Sequence, residues 1–459
     1  MIIDFLYSLS KMLPGIKAPA SPPQIKEKII WTIAALFLFF VMYNIMIFGA
    51  DRQVSAFDFL QVITASKVGS LLTTGIGPIV LASIFLQLFV GAKIINLDMK
   101  NPKDKQKFQG SQRILAIVIA LVEGIIFVYT GRVLISDSWG VLLPILGIIQ
   151  ITLGSVILIY LDELISKYGI GSGISLFIAA GVSLAVIGGF VGLIFEDGGV
   201  ISSLTEGGAE GIPKAILSLL PFVFTLLVFF AVVYAETMKV EIPLAYERVR
   251  GLVPKLPLKL IYVSNIPVIF ASALLLNVSF FAAVLPTEFL LFDINIAAIL
   301  HEMIYLVTPI YAGTDTLGHF TFIMTNTTPL LGLPEWFHAI TYVLFLSLVS
   351  IVFGIFWAET SNMDAKSVAG QLNQAGMQIP GYRRDPRLLE GILEKHIFPL
   401  TVLGSFLVGL LAGLADLTGA LGTGTGILLT VGILYRTYEQ LEQMNAFELY
   451  PGLGNIIGK

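Results

Sequence analysis

The residues AFDFLQVITASKVGS (56–70), LLTTGIGP (71–78) and IVLASIFLQLFVG (79–91) decide the architecture of this chain. A continuous crossing of a bilayer needs roughly 20 apolar residues. The apolar run Ala56–Ala65 is far too short for that, and Ser66, Lys67, Gly69 and Ser70 interrupt it. Gly75, Gly77 and Pro78 then break the chain again. Pro78 has no backbone N–H and disfavours helix in the residue before it. A second apolar run continues to Gly91. The stretch predicts a short re-entrant helix, a hinge and a spanning helix. Irregular backbone at membrane depth survives only where protein buries it or where it lines a watery cavity. The chain is therefore expected to surround a pore or a substrate cavity.

Composition agrees. Of 459 residues, 56% are hydrophobic and 13% charged, with a mean hydropathy of +0.88. That excludes a soluble domain of this size and points to an all-α polytopic membrane protein. There is no cysteine, so disulfides and thiolate chemistry are excluded. Ten spans are expected, near residues 28–49, 76–92, 113–133, 140–160, 172–194, 214–237, 261–284, 336–358, 396–414 and 420–437. Met1–Leu13 is apolar but leads into Pro14, Lys17, Pro19, Pro22 and Pro23 without a small-residue cleavage site. It reads as an interfacial helix rather than a cleavable signal.

Charge sets the orientation. With the N-terminus in the cytoplasm, only Arg52, Lys67, Arg132 and Lys214 of the 27 Lys and Arg residues fall on the outer side. The excess of basic residues inside predicts cytoplasmic N- and C-termini. The outer segment 285–335 has no Lys or Arg. Within it, Ile294–Val307 reads as an amphipathic helix at the surface, with His301 and Glu302 on a solvated face rather than in a catalytic site. Ten spans divide into two sets of five, 1–195 and 196–459. An odd number per half makes the second half enter from the opposite side, the architecture of an inverted repeat. Ile76-Gly77-Pro78-Ile79-Val80 and Asn265-Ile266-Pro267-Val268-Ile269 open the second span of each half and echo each other.

Two cytoplasmic loops are long. KVEIPLAYERVRGLVPKLPLKL (239–260) alternates apolar and charged residues and predicts a protruding hairpin. The other, 359–395, holds the helix-like SNMDAKSVAGQLNQAG and then IPGYRRDPR. Topology alone explains most of the Lys, but poorly explains Arg clusters at the loop tips. The planar fork of Arg suits phosphate, and a large anionic partner such as RNA fits these tips. Gly169-Ile170-Gly171-Ser172-Gly173 and Gly422-Thr423-Gly424-Thr425-Gly426 look like phosphate loops. Neither has the lysine or the preceding strand that such a loop needs, so they read as close helix packing. Glu123 is the one acid well inside a span and is a functional candidate for that reason.

QVITASKVGSLLTTGIGPIV, YLDELISKYGIGSGISLFIAAGVS, YVSNIPVI, IPGYRRDPR and LTGALGTGTGILLTVGILYRTYEQL together resemble the SecY family, the large subunit of the Sec protein-conducting channel, and most closely its archaeal branch. The resemblance covers nearly the whole chain. It implies a channel, not an enzyme, with no cofactor and no metal. A waist of apolar side chains from the second, fifth, seventh and tenth spans would be Ile76, Val80, Ile174, Ile178, Ile269 and Leu429. The pairs Ile76/Val80 and Ile174/Ile178 are four residues apart, so each pair faces one way. A plug at about 58–68 would be formed by Asp58, Phe59, Leu60, Val62, Ile63, Thr64, Lys67 and Val68. A lateral gate toward lipid would involve Pro78, Gln87, Glu123, Pro267 and Asn277. Leu81 stands where some relatives carry a hydroxyl, so the polar cluster at the gate departs from the family pattern. The resemblance also implies small single-span partners (SecE and Sec-beta), signal sequences, the lipid bilayer as exit, and location in the cell membrane. It implies a ribosome with its nascent chain, whose RNA would be met by Arg248, Arg250, Arg383 and Arg384. The competing expectation is a secondary transporter with inverted repeats. Such a protein would bring half-helix ends and ionisable groups together at mid-membrane.

Overall fold

The computed structural model describes residues 2–21, 23–50, 61, 64–99, 101–133, 140, 142–196, 199–206, 211–243, 245–246, 255–282, 290–291, 294–310, 316–329, 331–374, 377–378 and 386–449. Up to residue 195 the elements are α1 (Ile2–Ser10), α2 (Ile25–Asn44), α3 (Gly77–Gly91), α4 (Pro102–Tyr129), α5 (Leu142–Tyr168) and α6 (Gly173–Phe195). Then come α7 (Val200–Glu206), α8 (Gly211–Ser218) and α9 (Leu220–Thr237), followed by β1 (Lys239–Pro243), β2 (Ala245–Tyr246) and β3 (Lys255–Lys259). The chain continues through α10 (Ile266–Ala282), β4 (Leu290–Leu291), β5 (Ile294–Asn295), α11 (Ile296–Val307), α12 (Thr316–Thr325) and α13 (Glu335–Thr360). It ends with α14 (Ala365–Gln374), β6 (Met377–Gln378), α15 (Pro386–Asp416) and α16 (Gly424–Leu449).

A helix lies over each stretch expected to span. Among the described residues, six helical stretches are long and apolar enough to cross a bilayer: those built on α4, α5, α6, α8 with α9, α13 and α15. Helices α3 and α10 are apolar but shorter. Helix is the form in which a segment satisfies its own backbone without water. Many outward side chains are large and apolar, such as Phe37 at 69% and Ile187 at 62% exposure, as a lipid-facing surface requires. The N-terminal helix α1 docks on α4, where Lys107 pairs with Asp4 at 2.9 Å and the Ser111 hydroxyl donates to the Ile3 carbonyl at 3.3 Å.

One continuous apolar core joins α2 to α6 with α9, α10, α13, α15 and α16. Close approach of backbones helps to build it. A side chain at Gly154 of α5 would strike the Leu71 carbonyl, in the segment that leads into α3. Such small-residue contacts replace the hydrophobic drive that lipid cannot supply between helices.

The loops bear out the expected hairpin. β1 and β3 pair antiparallel, Lys239 opposite Lys259. The neighbouring strands add a link between loops: β2 pairs with β6, Tyr246 opposite Met377. A second small apolar core of Leu258, Ala369, Leu372, Leu393, Ile397 and Leu400 packs the hairpin, α14 and α15 together. The two long loops are therefore one platform. On the opposite segment, α11 is helical as expected, but Glu302 is not solvated. It is 1% exposed and its carboxylate accepts the Leu331 N–H at 3.3 Å. The turn after α12 folds over it. Glu335 and His338 at the start of α13 are buried beside it, His338 Nδ1 at 2.9 Å from Glu335 and Tyr305 donating to Glu335 at 2.8 Å.

Candidate functional site

Four helices share one kind of beginning. Gly75, Gly171, Ser264 and Gly422 have φ of +54°, +74°, +58° and +70°, and each lies two residues ahead of α3, α6, α10 or α16. A left-handed residue turns the chain sharply into each helix. At Gly75 the need is double, because a Cβ there would also strike the Thr64 carbonyl and Ser66. Helix α3 packs against α10, and α6 against α16.

These four helices carry the six apolar candidates. Ile76, Val80, Ile178, Ile269 and Leu429 are buried in the main core, and Ile174 is half-buried against it. Ile76 caps α3 and Val80 follows one turn later, while Ile174 is the second residue of α6 and Ile178 one turn on.

The plug candidates divide. Asp58, Phe59, Leu60, Val62 and Ile63 lie outside the described residues. Thr64, Lys67 and Val68 belong to a knot of hydrogen bonds that joins the end of that segment to α3. The Ile76 N–H donates to the Thr64 carbonyl at 2.9 Å, and Lys67 N–H to Leu72 at 3.1 Å. Val68 N–H donates to the Gln61 side chain at 3.0 Å, and the Thr64 and Ser66 hydroxyls share a bond of 2.6 Å. Ile47 N–H and Leu71 N–H tie the knot to the end of α2 at 2.9 Å each.

The gate candidates lie on α3, α4 and α10, and α3 packs against both of the others. Pro78 and Pro267 each sit at the second residue of a helix, α3 and α10. A missing N–H costs nothing there. They start helices, where the sequence reading placed the break between the re-entrant segment and the span. Glu123 is buried in α4 and faces the start of α3, where a Cβ on Gly77 would lie 3.7 Å from its carboxylate. Asn277 donates to the Ala273 carbonyl of its own helix at 2.8 Å. Gln87 is buried with an unpartnered Oε1, as is the Oε1 of Glu123. Among the described residues, none of the three bonds to another. The polar link between these spans lies elsewhere: Gln112 of α4 donates to the Ser83 hydroxyl of α3 at 2.6 Å. Arg248, Arg250, Arg383 and Arg384 lie outside the described residues.

Two further residues were not expected. Asp162 accepts the Ile174 N–H at 2.9 Å, and Asp416 accepts the Thr425 N–H at 2.7 Å. The runs that look like phosphate loops are indeed helix starts with free amides. A carboxylate of the chain itself fills the anion's place. The signal was there in the sequence: an acid near the end of one span, followed by a glycine-rich run that opens the next.

The SecY family profile matches residues 70–438. A protein translocase subunit SecY of Methanocaldococcus jannaschii is 41% identical over 99% of this chain and 99% of its own length. The chain belongs to the SecY family. Its fold is similar to a solved structure of a protein-conducting channel, with TM-score 0.78 and 42% identity over 96% of this chain and 98% of that one. It is also similar to canine Sec61 in a ribosome-channel complex from the endoplasmic reticulum, with TM-score 0.75, 41% identity and the same coverage. As a SecY-family member it is a multi-pass membrane protein and a protein translocase channel subunit, not an enzyme.

Gly75→Ala should destabilise this SecY-family chain by about 1–3 kcal/mol, through the clash and the left-handed backbone. Gly188→Ala, with open space around it, should change little. Thermal unfolding of the purified protein in detergent checks both.

Proposed function

We propose that Ile76, Val80, Ile174, Ile178, Ile269 and Leu429 form a dry collar halfway across the membrane, through which an unfolded polypeptide passes. The observation that carries this is that four helices, each entered through a left-handed turn, bring these six side chains into one apolar core. Apolar constrictions gate by dewetting and can close around an extended chain without binding it. Two acids beside the collar helices, Asp162 and Asp416, are engaged in holding helix ends. That favours a channel over a secondary transporter, which needs such groups free at mid-membrane.

In this proposal the chain crosses the membrane ten times, in two inverted halves, 1–195 and 196–459. Residues 58–68 form the plug on the outer side, anchored by the bonds from Thr64, Lys67 and Val68. Helices α3 and α10 line a lateral gate, with Pro78, Gln87, Glu123, Pro267 and Asn277 on or beside it. A signal sequence or a membrane span separates the halves there and displaces the plug. The polypeptide then moves outward, or sideways into lipid if it is apolar enough. The termini face the cytoplasm and the membrane is that of the cell. Single-span subunits of the SecE and Sec-beta kind complete the complex. The ribosome docks on the joined loop platform, with Arg248, Arg250, Arg383 and Arg384 against ribosomal RNA. The canine relative in a ribosome-channel complex and the pairing of β2 with β6 support that assignment.

Two experiments test these assignments. Replacing 58–68 with a short linker should make proteoliposomes leak ions without substrate. A transporter would lose uptake instead, and an ion-tight variant would contradict the plug. Reversing the charge of Arg383 and Arg384 should weaken ribosome binding at least tenfold at fixed salt with the fold intact. Equal affinity would refute that contact.

A further inference from the structure

Helices α6 and α16 carry three of the six collar side chains, Ile174, Ile178 and Leu429. The first amides of a helix find no partner within it and must take one from elsewhere. In both helices the partner is a carboxylate from the end of the preceding span. Asp162 of α5 takes the Ile174 N–H at 2.9 Å, and the Gly173 amide and Ser172 hydroxyl bond to the same carboxylate. Asp416, the last residue of α15, takes the Thr425 N–H on one oxygen at 2.7 Å. Its other oxygen accepts the Thr425 hydroxyl and, at 2.7 Å, the Tyr342 hydroxyl of α13. Each acid sits directly over the helix end. A Cβ on Gly173 would strike Asp162, and one on Gly424 would strike Ala415 beside Asp416.

The two acids occupy matching places, the fourth and the ninth span, so the device appears once in each half. Both sets of bonds stay within a half. Between α6 and α16 the contact is of another kind: Gly422 and Gly426 lie against Val182 and Val186, and Gly189 against Leu421. Such an apolar seam slides or parts at little directional cost, whereas a carboxylate shared by several donors fixes rotation and height.

We infer that Asp162 and Asp416 are positioning residues of the channel, each clamping a collar helix to the preceding span of its own half. The collar then opens by one half moving against the other, with the facing of Ile174, Ile178 and Leu429 kept. This rests on the collar proposed above.

Resting open probability per channel in planar bilayers, with the channel purified as its complex, tests the clamp. Asp162→Ala and Asp416→Ala should each raise it about fivefold, the scale of a lost helix cap. Asp162→Asn and Asp416→Asn keep an acceptor oxygen for the amide, and the Tyr342 and Thr425 hydroxyls can turn to accept. Both should return most of the way to wild type. A residue that only supports folding would lower yield without changing each inserted channel. Unchanged conductance in the Ala variants, or Asn variants as leaky as Ala, would overturn the clamp. If the Ala variants do not fold, Thr425→Val removes one donor from Asp416 and should raise the leak less steeply; no rise overturns the clamp. An Ile178→Asn control separates the two levels. A leak from that control alone refutes the clamp and spares the collar, whereas silence in every variant refutes both.

Discussion

The partners found by the first backbone amides of four helices govern this structure. A helix leaves its own first amides without partners, and α3, α6, α10 and α16 are each entered through a left-handed turn that brings their first residues against neighbouring segments. Three of these starts are answered by a specific partner for a backbone amide. The Ile76 amide goes to the Thr64 carbonyl, the Ile174 amide to Asp162 and the Thr425 amide to Asp416. At the start of α10, Asn265 sends its side-chain amide to the Leu428 carbonyl of α16 at 3.1 Å. These bonds hold the helix ends while leaving the apolar faces free to meet.

The division of labour has a physical consequence. Polar contacts give direction and apolar ones do not. Helices α6 and α16 are each held to the preceding helix by charge-assisted bonds, while they touch one another through glycines and aliphatic side chains. Removing water from beside one Ile or Leu side chain yields about 1.5–3 kcal/mol, so six of them would close the proposed waist firmly. The same side chains offer a passing peptide no hydrogen bond. A seal that is strong against water and weak against polypeptide is what protein conduction requires.

Much of this was legible in the residues. The broken stretch 56–91 announced a helix start, and the echo of Pro78 in Pro267 marked its counterpart. The hairpin showed in the alternation of 239–260, because a period of two survives even in a short loop. What stayed hidden depends on distant partners. Nothing local at Asp416 says that Tyr342 donates to it across the bundle. Likewise Glu302 looked solvated on the periodicity of its own helix, until the turn after α12 closed over it.

The absence of native cysteine makes the central claim open to a direct measurement. A single cysteine is placed in turn at positions 76, 80, 174, 178, 269 and 429, and a secretory polypeptide bearing one cysteine is stalled partway through the channel. Oxidative cross-linking should join the polypeptide to all six positions, and not to the lipid-facing positions 37 and 187. Cross-links that avoid the six, or that form equally with the lipid-facing pair, would contradict a collar around the translocating chain.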